Sequence, residues 1–559
     1  MKDKVILIII VCLAVFLRFY QLGQIPSGFH EDEAAYGYNA YSLLQTGKDE
    51  YGKSFPFVLK SFGEYKPALY AYLDIPFVAL FDLQPFSVRI VSAIFGLLTV
   101  PLLYFLASKL FLNKKIALFT AFLLAVTPWH INLSRTTSEV VVSVFFLLLL
   151  VYAMVSLRVN VTVKWFLVAV VSGLLAIDSY TASRFFVVLI SGLFFVFSTR
   201  MHNKKLRINS GLLLLVVMFI GFGIFTSLLD KSSRFNQVSI VATPETKLVL
   251  EEQIREDQFT PPVITRAFHN KVINYARTIT QNFGEYFTLD YLVLNGGYPY
   301  RMRIPASGLL YFWQIPFLFL GLYVLIRKKN AVSFLILGWW VLLLIPAAIT
   351  FDEIPNVYRS LVVLPAILFI TAVGMHKFFF QMISNKMILS GLACILILVG
   401  TGELLNYQHQ YYVHQELHQP WHRNYAYELL VERLNDLSRH YKKIVMTKSQ
   451  GGTYISLLFW RKYDPSTYQA EGSPADTNYT GFDNYYFVPD DCPREQDIET
   501  KDGVIKASQL LYVMKGKCKP AKGFKLIETI NWKDNTPAFK LFKYIPSKII
   551  AEQVVIKKK

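Results

Sequence analysis

The feature that most constrains this sequence is a series of apolar runs, each close to the length needed to cross a lipid bilayer. A transmembrane helix needs about 20 predominantly apolar residues, and eleven runs approach or reach that length. Only 17% of the 559 residues are charged, against about 25% in soluble domains. The sequence therefore predicts a polytopic α-helical membrane protein with spans at 5–20, 86–108, 116–133, 137–157, 164–181, 185–199, 210–229, 307–326, 331–350, 358–376 and 387–404.

The distribution of basic residues predicts the topology. The chain has a formal net charge of +18, and in a membrane protein Lys and Arg first report which side is cytoplasmic rather than a nucleic-acid partner. The basic links, such as 114–115 and 327–329, alternate along the chain and fall on the side of the N-terminus. We therefore expect a multi-pass protein of the cell (plasma) membrane with a cytoplasmic N-terminus and with the loops 21–85 and 230–306 outside.

The apolar stretch 67–81 tests this topology. It is short for a span and contains Asp74 and Pro76. Counting it as a span would place every later basic link outside. We therefore predict an interfacial or re-entrant helix here.

Residues 405–559 have a different composition and are predicted to form an extracytoplasmic soluble domain, whereas residues 1–404 form the transmembrane domain. A predicted helix at about 423–440 is followed by short runs typical of strands. This pattern indicates a small α/β or α+β domain, with strands at 443–447, 454–460, 485–488, 510–514, 524–532 and 538–544.

Cys492 and Cys518 both lie in this predicted exterior domain, whereas Cys12 and Cys394 lie in predicted spans. An oxidising exterior would permit a disulfide between Cys492 and Cys518. Two free thiols are the alternative, because spacing alone does not show geometry.

Three consecutive carboxylates, Glu31, Asp32 and Glu33, open a predicted amphipathic helix at about 33–45, just outside the first span. One interpretation is helix-start chemistry, since acidic side chains favour the positive end of a helix. The other is functional, because a carboxylate held at the membrane interface can act as a general base or bind a metal. The sequence leaves both open.

Basic residues also recur on the outer side, against the positive-inside bias. Lys66, in the first outer loop, is either a snorkelling side chain or a contact to a phosphate headgroup. Charges near a membrane are costly and therefore indicate function, and arginine forks fit phosphate well. We predict a cationic pocket for an anionic, membrane-borne ligand, formed by Lys66, Arg135, Arg184, Arg301, Arg303 and Arg359 together with Tyr358.

Two short motifs resemble those of the GT-C membrane glycosyltransferases, specifically the family 39 group of dolichyl-phosphate-mannose:protein mannosyltransferases and aminoarabinose transferases. One is Asp32-Glu33 in the first outer loop, followed by a helix with Tyr36. The other, at 63–67, is similar to the Glu-Lys-Pro element of the group except for the inserted Tyr65. The resemblance covers about residues 1–400 and does not extend to the C-terminal domain.

The resemblance implies transfer of a sugar from a polyprenyl-phosphate donor to a lipid, glycan or protein acceptor on the outer face. It assigns the role of general base to Asp32, with Glu33 as its neighbour. An acceptor hydroxyl would attack the anomeric carbon with inversion while the base takes its proton, and the outer cations would stabilise the leaving phosphate. Acceptor contacts or a second acidic role are assigned to Glu31, His130 and Glu139.

Two other function classes fit parts of the sequence. A transporter or other lipid-handling membrane protein would place polar residues along its spans, whereas the charges here gather at one membrane face. A structural scaffold would not need the carboxylate run. The sequence identifies no cofactor, leaves a divalent metal open and gives no indication of nucleic-acid binding.

Overall fold

The computed structural model describes residues 2–62, 64–200, 206–229, 239–242, 244–258, 260–448, 452–474, 480–500, 503–519 and 522–546. These residues form two compact units, which we describe separately. The first unit consists of Met1–Leu22, Glu64–Tyr70 and Arg89–Tyr411. The second unit consists of Gly23–Gly63, Ala71–Val88 and Tyr412–Lys559.

Helices dominate the chain, and the strands are short. In chain order the elements are α1 (Lys2–Phe19), α2 (Glu31–Thr46), β1 (Val58–Ser61), β2 (Glu64–Pro67), α3 (Leu69–Phe81), α4 (Pro85–Phe111), α5 (Lys114–Val126), α6 (Pro128–Ser134), α7 (Glu139–Val159), α8 (Val163–Ser179), α9 (Ser183–Arg200), α10 (Leu206–Leu229), α11 (Pro244–Glu256), α12 (Pro262–Phe268), α13 (Lys271–Glu285), α14 (Ile315–Lys328), α15 (Ala331–Leu342), α16 (Ile345–Ala348), α17 (Val357–Ser360), α18 (Leu364–Lys377), α19 (Lys386–His409), α20 (Gln415–Leu417), α21 (Ala426–Leu437), β3 (Lys443–Thr447), α22 (Thr453–Trp460), α23 (Pro465–Ala470), β4 (Tyr485–Val488), β5 (Ile498–Thr500), β6 (Gly503–Ile505), β7 (Leu510–Lys515), β8 (Phe524–Asn531) and β9 (Pro537–Tyr544).

The helices coincide with the predicted spans. Each of the eleven predicted segments contains one or two helices, as expected because a helix satisfies its own backbone groups in lipid. By length and apolar composition, six helices in the described part of the chain are able to cross a membrane, or seven if α5 and α6 count as one bent span. The remaining predicted spans hold α1, whose 18 residues include four charged ones, the 17-residue α8, the 24-residue α10 and the 14-residue α14. The predicted multi-pass helical architecture is confirmed.

The span predicted at 116–133 is not one straight helix. The axes of α5 and α6 differ in direction by 55°. Thr127 between them is extended, with φ −62° and ψ 123°, because the residue before a proline, here Pro128, disfavours the helical region. The segment predicted as a span at 116–133 is therefore a bent pair of helices, which together are long and apolar enough to count as one span.

Glycines allow α14 and α18 to pack closely in the first unit. A Cβ on Gly321 would clash with the carbonyl oxygen of Ile370, and one on Gly374 with that of Phe317. Small residues at such contacts are typical of membrane helices, whose association depends on close packing of the backbones. α18 is accordingly buried along most of its length.

The second unit contains a five-stranded mixed sheet with the order β4-β3-β7-β9-β8. β3 is parallel to both of its neighbours, and β9 is antiparallel to both of its own. β3 and β7 are apolar almost throughout and buried, as expected for strands covered on both faces. The predicted C-terminal sheet and the preceding helix, here α21, are confirmed.

One predicted strand is wrong. Residues 454–460 belong to the buried helix α22. Apart from Ser456 the run is apolar, so it shows neither the alternation of a half-buried strand nor the stripe of an amphipathic helix. Short runs of this kind are ambiguous between strand and helix.

Helix α2 packs against C-terminal residues within the second unit. A Cβ on Gly37 would collide with Phe459 of α22, and the Tyr38 hydroxyl donates to the carbonyl of Tyr463 at 3.0 Å. The first outer loop and the C-terminal sheet thus share one compact unit. The boundary between a transmembrane domain and a soluble domain at residues 404 and 405 stays a prediction, because the division into two compact units does not show where a membrane lies.

Candidate active site

The three consecutive carboxylates lie on the first turn of α2. His30 caps this helix. Its ring Nδ1 accepts a hydrogen bond from the backbone N–H of Asp32 at 3.2 Å, and the backbone N–H of His30 donates to Glu33 Oε1 at 3.4 Å. This reciprocal arrangement is a capping box. Asp32 Oδ2 also lies 3.3 Å from His30 Nδ1, so the cap residue is within reach of the carboxylate assigned as the base.

The carboxylates differ in their surroundings. Glu33 belongs to the capping box and is only 7% exposed. Glu31 packs on Gly452, where any side chain would clash with it, and accepts from Asn424 Nδ2 at 3.4 Å. Asp32 keeps 46% of its side chain accessible. Of the three, it is therefore the carboxylate that combines accessibility with a neighbouring histidine.

Lys66 lies on β2, directly before α3, and is buried. A charge removed from water interacts more strongly with an anion than an exposed charge does. Gly63 of the same motif and the side chain of Glu64 lie outside what the structure describes. Lys66 belongs to the first unit and the carboxylates to the second, so their assignment to one site rests on the family resemblance.

Two predicted residues, His130 and Arg135, belong to a buried basic cluster of the first unit. Arg18 donates to His130 Nδ1 at 3.0 Å and to two carbonyls at the end of α5 at 3.0 and 3.1 Å. Arg135 donates to two carbonyls near the end of α1 at 3.2 and 2.7 Å and to the Tyr411 hydroxyl at 3.2 Å. Carbonyls at helix ends lack partners within their helix, and these arginines provide them.

A second cationic cluster joins Arg301, Arg303 and Tyr358. The Arg301 guanidinium lies 5.7 Å from the Tyr358 ring centroid. Arg303 lies 4.5 and 4.7 Å from the rings of Tyr298 and Tyr300, a geometry suited to cation–π attraction. Backbone hydrogen bonds between residues 298 and 355–357 hold the two segments together. The structure thus brings together Arg301 and Tyr358, which are 57 positions apart in sequence.

The other predicted residues have separate positions. Arg359 pairs with Asp352 at 2.9 Å and donates to Thr350 Oγ1 at 2.9 Å, so a neighbouring carboxylate balances its charge. Arg184 is the second residue of α9 and acts electrostatically on Asp178. Glu139 is the first residue of α7.

The sequence interpretation did not select two buried charged residues, Arg89 in α4 and Asp74 in α3. Both are almost fully buried. In the described chain no group donates a hydrogen bond to either carboxylate oxygen of Asp74, and burial raises the pKa of that carboxyl well above its ordinary value. The sequence did carry a signal for Asp74, a charged residue inside an apolar run. We used it only to argue that residues 67–81 are not a span.

No group of three or more His, Cys, Asp or Glu side chains is arranged to hold a metal ion among the residues that the structure describes.

Residues 65–225 match the family model described as dolichyl-phosphate-mannose-protein mannosyltransferase. This segment includes Lys66 and the membrane helices up to α10. The resemblance to the GT-C membrane glycosyltransferases is confirmed. No curated protein matches the chain.

Solved GT-C structures share the fold. ArnT from Cupriavidus metallidurans in the apo state superposes with a TM-score of 0.53 at 11% identity, covering 97% of this chain and 98% of that one. The same protein bound to undecaprenyl phosphate gives 0.51 at 11% identity, with 96% and 97% covered.

The archaeal oligosaccharyltransferase AglB from Archaeoglobus fulgidus, in complex with an inhibitory peptide and a dolichol-phosphate, gives a TM-score of 0.50 at 14% identity. The match covers 82% of this chain but 64% of AglB, so the chain spans less than two thirds of that protein. At these identities the likeness is one of GT-C fold.

Proposed function

We propose that this protein is a membrane glycosyltransferase that moves a sugar from a polyprenyl-phosphate donor to an acceptor at the outer face of the cell membrane. The acceptor is a lipid, a glycan or a protein. The family match over residues 65–225 and the GT-C fold support the transferase class. ArnT in complex with undecaprenyl phosphate and AglB in complex with a dolichol-phosphate support a lipid-phosphate donor.

The observation that carries the proposal is the accessible Asp32 carboxylate beside His30 on the first turn of α2. A general base must reach the proton that it removes. Glu33 is held in the helix cap and Glu31 against Gly452, whereas nearly half of the Asp32 side chain remains accessible.

The reaction then follows from bond changes at one carbon. An acceptor hydroxyl oxygen attacks the anomeric carbon of the donor sugar, and Asp32 takes the hydroxyl proton. The bond between that carbon and the phosphate oxygen breaks, and the polyprenyl phosphate leaves with the electron pair. Attack opposite the leaving group inverts the anomeric configuration.

Cations of the first unit are proposed to stabilise the leaving phosphate. Lys66 is buried, and Arg301 and Arg303 are held by aromatic rings, so both kinds of group are ordered before the donor arrives. Preorganised charges of this kind act mainly on charge that develops in the transition state. Arg135, Arg184, Tyr358 and Arg359 are assigned to the same role, and His130 and Glu139 to the acceptor side.

The test is transfer in vitro with the full-length protein in detergent. Polyprenyl-phosphate sugars of short chain length are incubated with a membrane extract as acceptor source, and products are identified by mass spectrometry. The proposal predicts release of polyprenyl phosphate together with an acceptor whose mass has increased by that of one sugar residue. An intact donor across the panel of sugars, with folded protein, would contradict it.

A further inference from the structure

An apolar groove of about 810 Å³ runs along the first unit between α1, α5 and α19. Its lining is almost entirely aliphatic and aromatic, with Asp3 and Lys115 as its charged members. The helices that form it are predicted spans, so the groove lies at the depth of the hydrocarbon. An apolar cavity does not hold ordered water, and the groove therefore needs an apolar occupant.

The groove has one charged end. Asp3 lies near the start of α1 and Lys115 near the start of α5, and Lys114 Nζ is 3.9 Å from Asp3, so the two helices begin side by side. At the opposite end the Tyr311 hydroxyl donates to the carbonyl of Val126, the last residue of α5, at 2.9 Å. α1 has 18 residues and is therefore about 27 Å long, close to the thickness of the hydrocarbon core.

The charged end is predominantly positive. The Lys115 ammonium lies 3.6 Å from the centroid of the Phe380 ring at the edge of the groove. Lys115 of α5 and Lys328 of α14 both act electrostatically on His376, so lysines of two helices gather here. Such a collar of lysines attracts anionic lipid headgroups, and an ammonium forms charge-assisted hydrogen bonds with phosphate.

We propose that this groove binds a glycerophospholipid with an anionic headgroup, its phosphate on Lys115 and an acyl chain along α19. The site is distinct from the proposed donor site. Arg18 and Arg135 lie at the far ends of α1 and α6, about one membrane thickness from Lys115. A donor lipid with its phosphate at that end would leave Lys115 without an anion.

Native mass spectrometry of the full-length protein in detergent tests the proposal, with dioleoyl-phosphatidylglycerol as the probe and dioleoyl-phosphatidylcholine and undecaprenyl phosphate as competitors. Ala393→Phe fills the groove, and Ile395→Phe is its control because Ile395 lies on the same helix, is 56% exposed and does not line the groove. Lys115→Glu removes the headgroup contact, with Lys164→Glu on α8 as its control.

We expect Ala393→Phe and Lys115→Glu each to weaken retention of phosphatidylglycerol at least about five-fold, and both controls to retain it as the wild type does. Phosphatidylcholine should be retained less well. Lys115 is exposed, so Lys115→Glu remains decisive if Ala393→Phe does not fold. Unchanged retention in both variants, equal retention of phosphatidylcholine, or displacement by undecaprenyl phosphate would overturn the proposal.

Discussion

At the scale of single residues, the buried carboxyl group of Asp74 should affect the stability of the protein. Asp74 lies inside α3 with no exposed surface. Burial raises the pKa of its carboxyl well above the ordinary value, because apolar surroundings disfavour the charged form. The folded protein therefore holds a proton at pH values where the unfolded chain has released it.

This sets the sign of a pH effect on stability. As the pH rises above the unfolded pKa of about 3.9, the wild type loses up to about 1.4 kcal/mol of unfolding free energy per pH unit until the folded pKa is reached. Asp74→Asn lacks this slope and should be more stable than the wild type at neutral pH. Melting temperatures from about pH 5 to about pH 8 check this, with Asp436→Asn (75% exposed) as the control. Parallel curves for Asp74→Asn and wild type would refute it.

Lys66 provides a residue-scale test of the phosphate pocket. Because it is buried, its removal should not be compensated by water. Lys66→Ala should weaken donor binding by about 1.5–3 kcal/mol, the usual contribution of a hydrogen bond to a charged group. Lys53→Ala, which changes an exposed lysine of the same loop, is the control, and the measurement is the KM for the donor. An unchanged KM in Lys66→Ala would remove this residue from the pocket.

At the scale of elements, run length predicted the helices well, and local chemistry explains the exceptions. The break before Pro128 follows from the restriction on the preceding residue and was readable in the sequence. The helix at 454–460 was not, because an apolar run of this length carries no periodicity. The cap of α2 was hidden for another reason: histidine is not among the preferred N-cap residues, so the capping box appears only with coordinates.

Cys492 and Cys518 link the segment after β4 to the segment after β7. The structure joins them as a disulfide across 26 residues, with their Cα atoms 5.2 Å apart, and Cys518 is buried beside Tyr512 and Phe542. Non-reducing peptide mapping should recover the linked pair, and Cys492→Ser should lower the unfolding free energy by about 2–4 kcal/mol, whereas Cys12→Ser should not. Complete alkylation of both thiols without reductant would disprove the link.

At the scale of the whole molecule, the sequence singled out the three carboxylates of α2 as candidate site residues but did not predict the residues that they contact. Glu31 meets Asn424 across 393 positions, and no local pattern encodes such a contact. The fold class could be predicted because each apolar run and each basic link is a local signal that is read from one helix or one loop. The packing of α2 with α22 in one unit depends on long-range complementarity, which a single sequence does not reveal.

The topology is the whole-molecule prediction. Single cysteines introduced at 114–115 and 200–207 should react only from the cytoplasmic side, and those at 230–306 and 405–559 only from outside, because the basic links follow the positive-inside rule. Cys12 and Cys394 are exposed on the protein surface and must first be replaced by serine. Labelling of 405–559 from the cytoplasmic side would overturn the topology and, with it, the outer-face site.

The central claim is that Asp32 removes the acceptor proton. Asp32→Asn keeps the size and polarity of the side chain but cannot accept that proton, so the protein should fold while transfer falls about 10²–10⁴-fold. The measurement is the turnover rate at saturating polyprenyl-phosphate sugar, with equal amounts of monodisperse protein. Asp436→Asn makes the same chemical change at an exposed position and should keep wild-type turnover. Near-wild-type turnover in Asp32→Asn would contradict the account and reduce the carboxylate run to helix-start chemistry.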